Sequence, residues 1–154
     1  MLFSKNKTFI IAEMANSHEG VLNTAKKIVK SAAEAGADAV KFQKFFADEL
    51  AQPDHEYYNL YKKLEMKNNE WKELILYAKS KKLKIFADIF GIKSAKQFLK
   101  FPIDGFKIHS ADVGNLPLLK FLSKQKKPIL LSVAGCLPHE IHEALNILER
   151  SPKE

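Results

Sequence analysis

The sequence predicts an α/β fold of the (β/α) TIM-barrel type, with parallel strands alternating with helices in about five βα units. Three observations carry this. Short runs that are apolar on both sides, as strands covered by helices are, alternate with segments whose apolar residues recur at helical spacing. Each run ends near a polar or charged side chain, where parallel α/β proteins place their chemistry. No glycine-rich dinucleotide fingerprint and no P-loop follows any run, which argues against a nucleotide-binding open sheet.

The first strand is expected over residues 8–13 and ends in Glu13; the polar run Asn16, Ser17, His18, Glu19, Gly20 is then a loop. Leu22, Ala25, Ile28, Val29, Ala32 and Ala33 mark a helix over 22–35, stopped by Gly36. The second strand, 39–43, carries Lys41 and Gln43. Residues 44–68 form a long insertion with Phe45, Phe46, Tyr57, Tyr58 and Tyr61 and a short helix at 56–64; such connections serve as lids or interfaces. Asn69 is expected to cap a helix running to about residue 81, with Trp71, Leu74, Ile75 and Ala78 as its stripe. A third strand over 83–87 follows, with Asp88 at its end. A helix at 94–100, a strand at 106–109 bearing Lys107 and His109, a helix at 117–123, a strand at 128–132 ending in Ser132 and a helix at 138–148 complete the pattern. Alternation along a strand puts Lys41 with Gln43, Phe86 with Asp88, and Lys107 with His109 on common faces. Polar groups from all five strands suit a barrel mouth better than an open crevice.

At 154 residues with 46% hydrophobic content, the chain is read as a single domain, 1–154, with a real core. The net charge of +7 comes from lysines in helix-like stretches without an aromatic or arginine-rich pattern, so it is read as a solvated face and not a nucleic-acid site. One cysteine excludes an internal disulfide framework and fits a reducing compartment, so a cytoplasmic location is expected. No signal-peptide core opens the chain, and no apolar segment approaches the roughly 18 residues of a membrane span.

The chemistry centres on lysines set inside apolar strands. An unpaired buried ammonium is costly, so something anionic should face Lys41 and Lys107. Either they line a site for a small anion, or they are structural partners of Glu13 and Asp88 inside the barrel. Two lysines with Ser110 and Ser132 around one cavity suit a doubly anionic substrate. The candidate catalytic residues are Glu13, Lys41, Asp88 and His109; the candidate substrate-binding residues are Lys41, Gln43, Lys107, Ser110 and Ser132. Asp88 and His109, on neighbouring strands and facing the same way, are expected to pair. His18 is expected to be a solvated loop residue, His55, His139 and His142 surface residues, and Cys136 a small packing residue.

The segments Ile10-Ile11-Ala12-Glu13, His18-Glu19-Gly20, Ala35-Gly36-Ala37-Asp38-Ala39-Val40-Lys41-Phe42-Gln43, Phe106-Lys107-Ile108, Asn115-Leu116-Pro117-Leu118-Leu119 and Pro128-Ile129-Leu130-Leu131-Ser132 resemble, in order and spacing, the sialic acid synthase family. The resemblance covers essentially the whole chain. It implies a (β/α)₈ barrel that condenses phosphoenolpyruvate with an N-acylmannosamine-like amino sugar, giving a sialic-acid-type nonulosonate and phosphate. By the same resemblance Lys41 meets the phosphoenolpyruvate carboxylate, Lys107, Ser110 and Ser132 hold its phosphate, and Glu13 binds sugar hydroxyls. A divalent metal, manganese by resemblance, would have its ligands mostly outside this chain, so no residue here is assigned as a metal ligand. The partners implied are the two substrates and further copies of the chain in a homo-oligomer.

The chain departs from the family pattern at Ala87-Asp88-Ile89-Phe90, where a Ser-Thr-Pro-Phe run is usual, at His109, and at Val133-Ala134-Gly135-Cys136. Five βα units also leave out three of a barrel's eight, so the chain is expected to be the N-terminal part of a larger enzyme and inactive alone. The alternatives are a Schiff-base aldolase using Lys41 or Lys107, and a non-catalytic barrel fragment that binds a small anionic ligand.

Overall fold

The computed structural model describes residues 7–149. Five parallel strands lie in the order β1-β2-β3-β4-β5: β1 (Ile11–Ala15), β2 (Ala39–Lys44), β3 (Lys84–Ile89), β4 (Gly105–Ile108) and β5 (Ile129–Leu131). The order decides between the two parallel architectures. A doubly wound sheet reverses direction at a switch point, whereas each strand here is added on the same side of the last, as in a barrel.

Helix α1 (Leu22–Glu34) follows β1. The β2–β3 connection holds α2 (Ala47–Leu50), α3 (Tyr58–Leu64) and α4 (Asn68–Ser80). The remaining helices are α5 (Ile92–Phe98), α6 (Leu116–Ser123) and α7 (Pro138–Glu149), with a 3-10 turn at Ser110–Asp112 directly after β4. Among the described residues no helix is long and apolar enough to cross a membrane.

Period-two alternation sorts the strand residues. Val40, Phe42, Ile85, Ala87, Ile89, Phe106 and Ile108 join Trp71, Leu74, Ile75 and Ala78 of α4 in one helix-facing core. The opposite face carries Lys41, Gln43, Phe86, Asp88 and Lys107. Gly105 is the register partner of Phe86 there, and a Cβ at Gly105 would stand 2.5 Å from the Phe86 ring. Glycine lets that ring lie across β4.

Several boundaries differ from those expected. β1 starts at Ile11 and runs past Glu13 to Ala15, through a register shift at which Ala15 takes φ 47° and its N–H donates to Glu13 Oε1 at 2.9 Å. Helix α4 begins at Asn68, so Asn69 lies inside it and does not cap it; the N–H of Lys67 instead donates to Glu70 Oε2 at 2.7 Å. β3 extends to Ile89, which puts Asp88 within the strand. Helix α5 starts at Ile92, and Glu49 of α2 accepts from its Ser94 N–H at 3.0 Å. That carboxylate lies so close to Gly91 that a Cβ there would stand 2.1 Å from it.

Candidate active site

Register places the polar residues of the inner face in layers. Glu13 is level with Lys41, Lys41 with Phe86, and Phe86 with Gly105. The next layer towards the carboxyl ends is Gln43, Asp88, Lys107 and Leu130. One short side chain and two long ones then meet. The Lys107 ammonium donates to Asp88 Oδ2 at 3.1 Å, and the Lys41 ammonium, reaching up from the layer below, lies 3.5 Å from the same oxygen. Lys41 also forms an ion pair with Glu13.

The exposures grade outward. The Asp88 side chain is 1% exposed, those of Lys107 and Lys41 12% and 14%, and that of Glu13 43%. The cluster opens to solvent on the Glu13 side. Asp88 is incompletely used, since its Oδ1 is buried with no hydrogen-bond partner among the described residues. Two carboxylates face two ammoniums, so the lysines are charge-balanced by the protein itself, as the structural alternative required.

His109 does not join this cluster. Ile89 pairs in register with Ile108, so the next residue on each strand brings His109 level with Phe90, and the two rings stack at 6.0 Å and 29°. The His109 ring is exposed, and its Nδ1 accepts from the Ala111 N–H at 3.4 Å. The expected Asp88–His109 pair is replaced by Asp88 with Lys107, because Lys107 is its true register partner. Ser110 opens the 3-10 turn, and Ser132 follows β5 with its N–H donating to Ile108 O at 3.0 Å. Both serines are partly buried beyond the Asp88 layer. Cys136 packs against the core edge, with its thiol directed at Ser110 O, 3.8 Å away.

His18 was expected in solvent and is 1% exposed. Its ring meets Trp71 edge-on at 5.8 Å and accepts from the Gly20 N–H at 2.9 Å; burial holds its pKa below the usual histidine value. Its position two residues after Asn16 in a tight polar turn carried no sequence signal for this burial. His55, His139 and His142 are exposed, as expected.

Lys44 escaped the sequence reading. Alternation from Val40 and Phe42 puts it on the helix-facing side, where it is 1% exposed and its ammonium sits 3.9 Å from the Phe46 ring centroid. Burial lowers its pKa to about 8, with Glu65 and Glu49 opposing the shift and Lys93 adding to it.

Among the described residues no group of three or more histidine, cysteine, aspartate or glutamate side chains could hold a metal ion. Glu13 and Asp88 are turned to lysines, and His109 lies beside Phe90. These residues do not by themselves fit a metal centre.

The profile of the NeuB family matches residues 28–154. The chain belongs to the NeuB family. It is 37% identical over 156 residues to an N,N'-diacetyllegionaminic acid synthase of Campylobacter jejuni, covering 92% of this chain and 47% of that protein. It is 33% identical over 143 residues to the mouse N-acetylneuraminate-9-phosphate synthase, covering 83% of this chain and 39% of that protein. Among solved structures, the sialic acid synthetase of Leptospira borgpetersenii superposes with a TM-score of 0.89 at 30% identity, over 94% of this chain and 51% of that one. This NeuB-family chain thus spans about half the length of, or less than, the relatives it matches.

Proposed function

We propose that this NeuB-family chain forms the phosphoenolpyruvate-binding part of a synthase that condenses phosphoenolpyruvate with an N-acylmannosamine-like amino sugar. The product would be a sialic-acid-type nonulosonate, with phosphate released. The observation that carries the proposal is the convergence of the Lys41 and Lys107 ammoniums, from non-adjacent strands, on one anionic position at the carboxyl end of a barrel-type sheet.

In the reaction, the enol carbon of phosphoenolpyruvate bonds to the aldehyde carbon of the sugar, water supplies the oxygen of the new ketone, and phosphate departs with its bridging oxygen by carbon–oxygen cleavage. Lys41 would hold the substrate carboxylate, and Lys107 with Ser110 and Ser132 the phosphate, each stabilising charge without itself reacting. Gln43, level with Asp88, would orient the bound acid. Glu13, exposed at the rim, would accept from sugar hydroxyls. The stacked rings of His109 and Phe90, beyond the Asp88 layer, would offer an aromatic contact to the sugar ring. A Schiff-base aldolase would instead need a lysine amine free of carboxylates, and Lys41 faces two and Lys107 one.

Calorimetric titration of phosphoenolpyruvate into the protein tests this reading. Saturable binding that Lys107→Ala abolishes is the expected result. No binding by a sample that unfolds cooperatively removes phosphoenolpyruvate from the assignment. Borohydride trapping of a keto acid on either lysine would move the assignment to the aldolase.

A further inference from the structure

We infer that Asp88 is a resident anion, whose carboxylate occupies the seat between Lys41 and Lys107 that an incoming anionic group must take. The inference deepens the reading above and rests on it only for the identity of the preferred substrate. Three features of the site carry it.

The first is geometric. Both ammoniums address the same atom, Asp88 Oδ2, at 3.1 and 3.5 Å. The seat is one oxygen wide, and a phosphate or carboxylate oxygen of a ligand cannot share it with Asp88 without placing like charges in contact. The second is the balance of charge. Glu13 and Asp88 against Lys41 and Lys107 leave no net positive charge, so a free anion gains little from a site whose cations are already neutralised. The third is the state of Asp88 itself. Among the described residues its Oδ1 is buried with no partner and none of its hydrogen bonds comes from the backbone, so the two lysines hold it in place. A carboxylate held this way can be turned aside when a ligand offers the lysines more than Asp88 does.

The consequence is selection by valence. An ion with one anionic group, such as inorganic phosphate, exchanges one anion for another and gains little. A ligand carrying two anionic groups, joined so that one reaches each lysine, satisfies both ammoniums at once and compensates for displacing the carboxylate. The site is therefore built to reject free phosphate and monocarboxylates and to accept a compact molecule bearing both a carboxylate and a phosphate. Gln43, the register partner of Asp88 on β2, carries an amide that would donate to the displaced carboxylate.

Calorimetric titration of inorganic phosphate and of phosphoenolpyruvate into the parent protein, Asp88→Asn and Asp88→Ser tests the inference, with Lys107→Ala as the control for the seat. The expected result is phosphate binding at least about tenfold tighter in both Asp88 variants than in the parent, abolished when Lys107→Ala is added, with the preference for phosphoenolpyruvate over phosphate narrowed. Phosphate affinity that is unchanged or weaker in both cooperatively folded variants overturns the inference. The two proposals fail separately. Phosphate binding gained without any phosphoenolpyruvate binding in parent or variants upholds the resident anion and removes the synthase substrate. Tight phosphoenolpyruvate binding by the parent with no gain on changing Asp88 does the reverse.

Discussion

Asp88 and Asp104 both sit between two lysines, yet they are held in opposite ways. Asp104, at the amino end of β4, forms an ion pair with Lys79, accepts from the Ile85 N–H at 2.8 Å and lies 3.4 Å from the Lys84 ammonium, so both its oxygens are used. Burial alone would raise its pKa, but the hydrogen bonds from Lys79 and Ile85 N–H together with the charges of Lys79 and Lys84 hold it below the usual carboxylate range. Asp38 behaves alike at the amino end of β2, bonded to Lys7 and to the Ile10 N–H at 2.9 Å. Asp88, at the carboxyl ends, bonds to no backbone N–H among the described residues and leaves one oxygen without a partner there. Aspartates at the amino ends tie segments of backbone together, whereas the one at the carboxyl ends only balances charge. That difference matches the general division of such folds into a stabilising face and a chemical face.

The largest expected effect that would break this comparison is on stability. Asp104→Ala should cost about 3 kcal/mol in urea unfolding, because it strands a buried N–H and a partly buried ammonium, while phosphoenolpyruvate affinity stays within about twofold. A stable variant that loses binding would reverse the roles of the two aspartates. The pH dependence has a definite sign. The folded pKa of Asp104 is depressed, so its contribution is full above its ordinary 3.8 and is lost as pH falls through the folded value; Asp104→Asn should flatten the acid limb of stability against pH.

Gly105→Ala, between Asp104 and Lys107 in the chain, should cost about 2 kcal/mol because the new methyl meets the Phe86 ring. It should also weaken phosphoenolpyruvate binding by moving Lys107, a coupling visible in the same calorimetric titration. Asp88→Asn should cost only about 1 kcal/mol of chemical stability, since the amide oxygen still accepts from Lys107 and Lys41 keeps Glu13. A loss as large as that of Asp104→Ala would make Asp88 a structural tie after all.

The smallest effect concerns His18. Its folded pKa lies below 6.5, so the unfolded chain gains a proton that the folded chain refuses, and stability should decline as pH drops below 6.5. His18→Gln should remove that decline in thermal midpoints taken from about pH 7.5 to 5.5. An unchanged slope would place the titrating group elsewhere.

Much of this molecule was legible in its sequence, for physical reasons that differ from element to element. The strands at Lys41 and Lys107 were visible because a lysine within an apolar run can only be tolerated facing an anion. The helices around Ala25 and Trp71 were visible because their apolar stripes have a period of 3.6. Lys44 was hidden by its place at the start of an aromatic-rich connection, although counting alternate residues from Val40 assigns it to the helix-facing side. His18 was hidden because a polar turn gives no local sign that Trp71, fifty-three residues later, will cover it.

The sequence by itself determined the alternation of strands and helices, and which side chains of each strand share a face, because both follow from local backbone geometry and burial. Only the tertiary structure decided how neighbouring strands align. Backbone hydrogen bonds between distant segments, and packing such as Phe86 over Gly105, set Asp88 beside Lys107 and His109 beside Phe90. A shift of two residues would have kept every side chain on its face and paired Asp88 with His109, so facing residues could be named in advance while contacting residues could not.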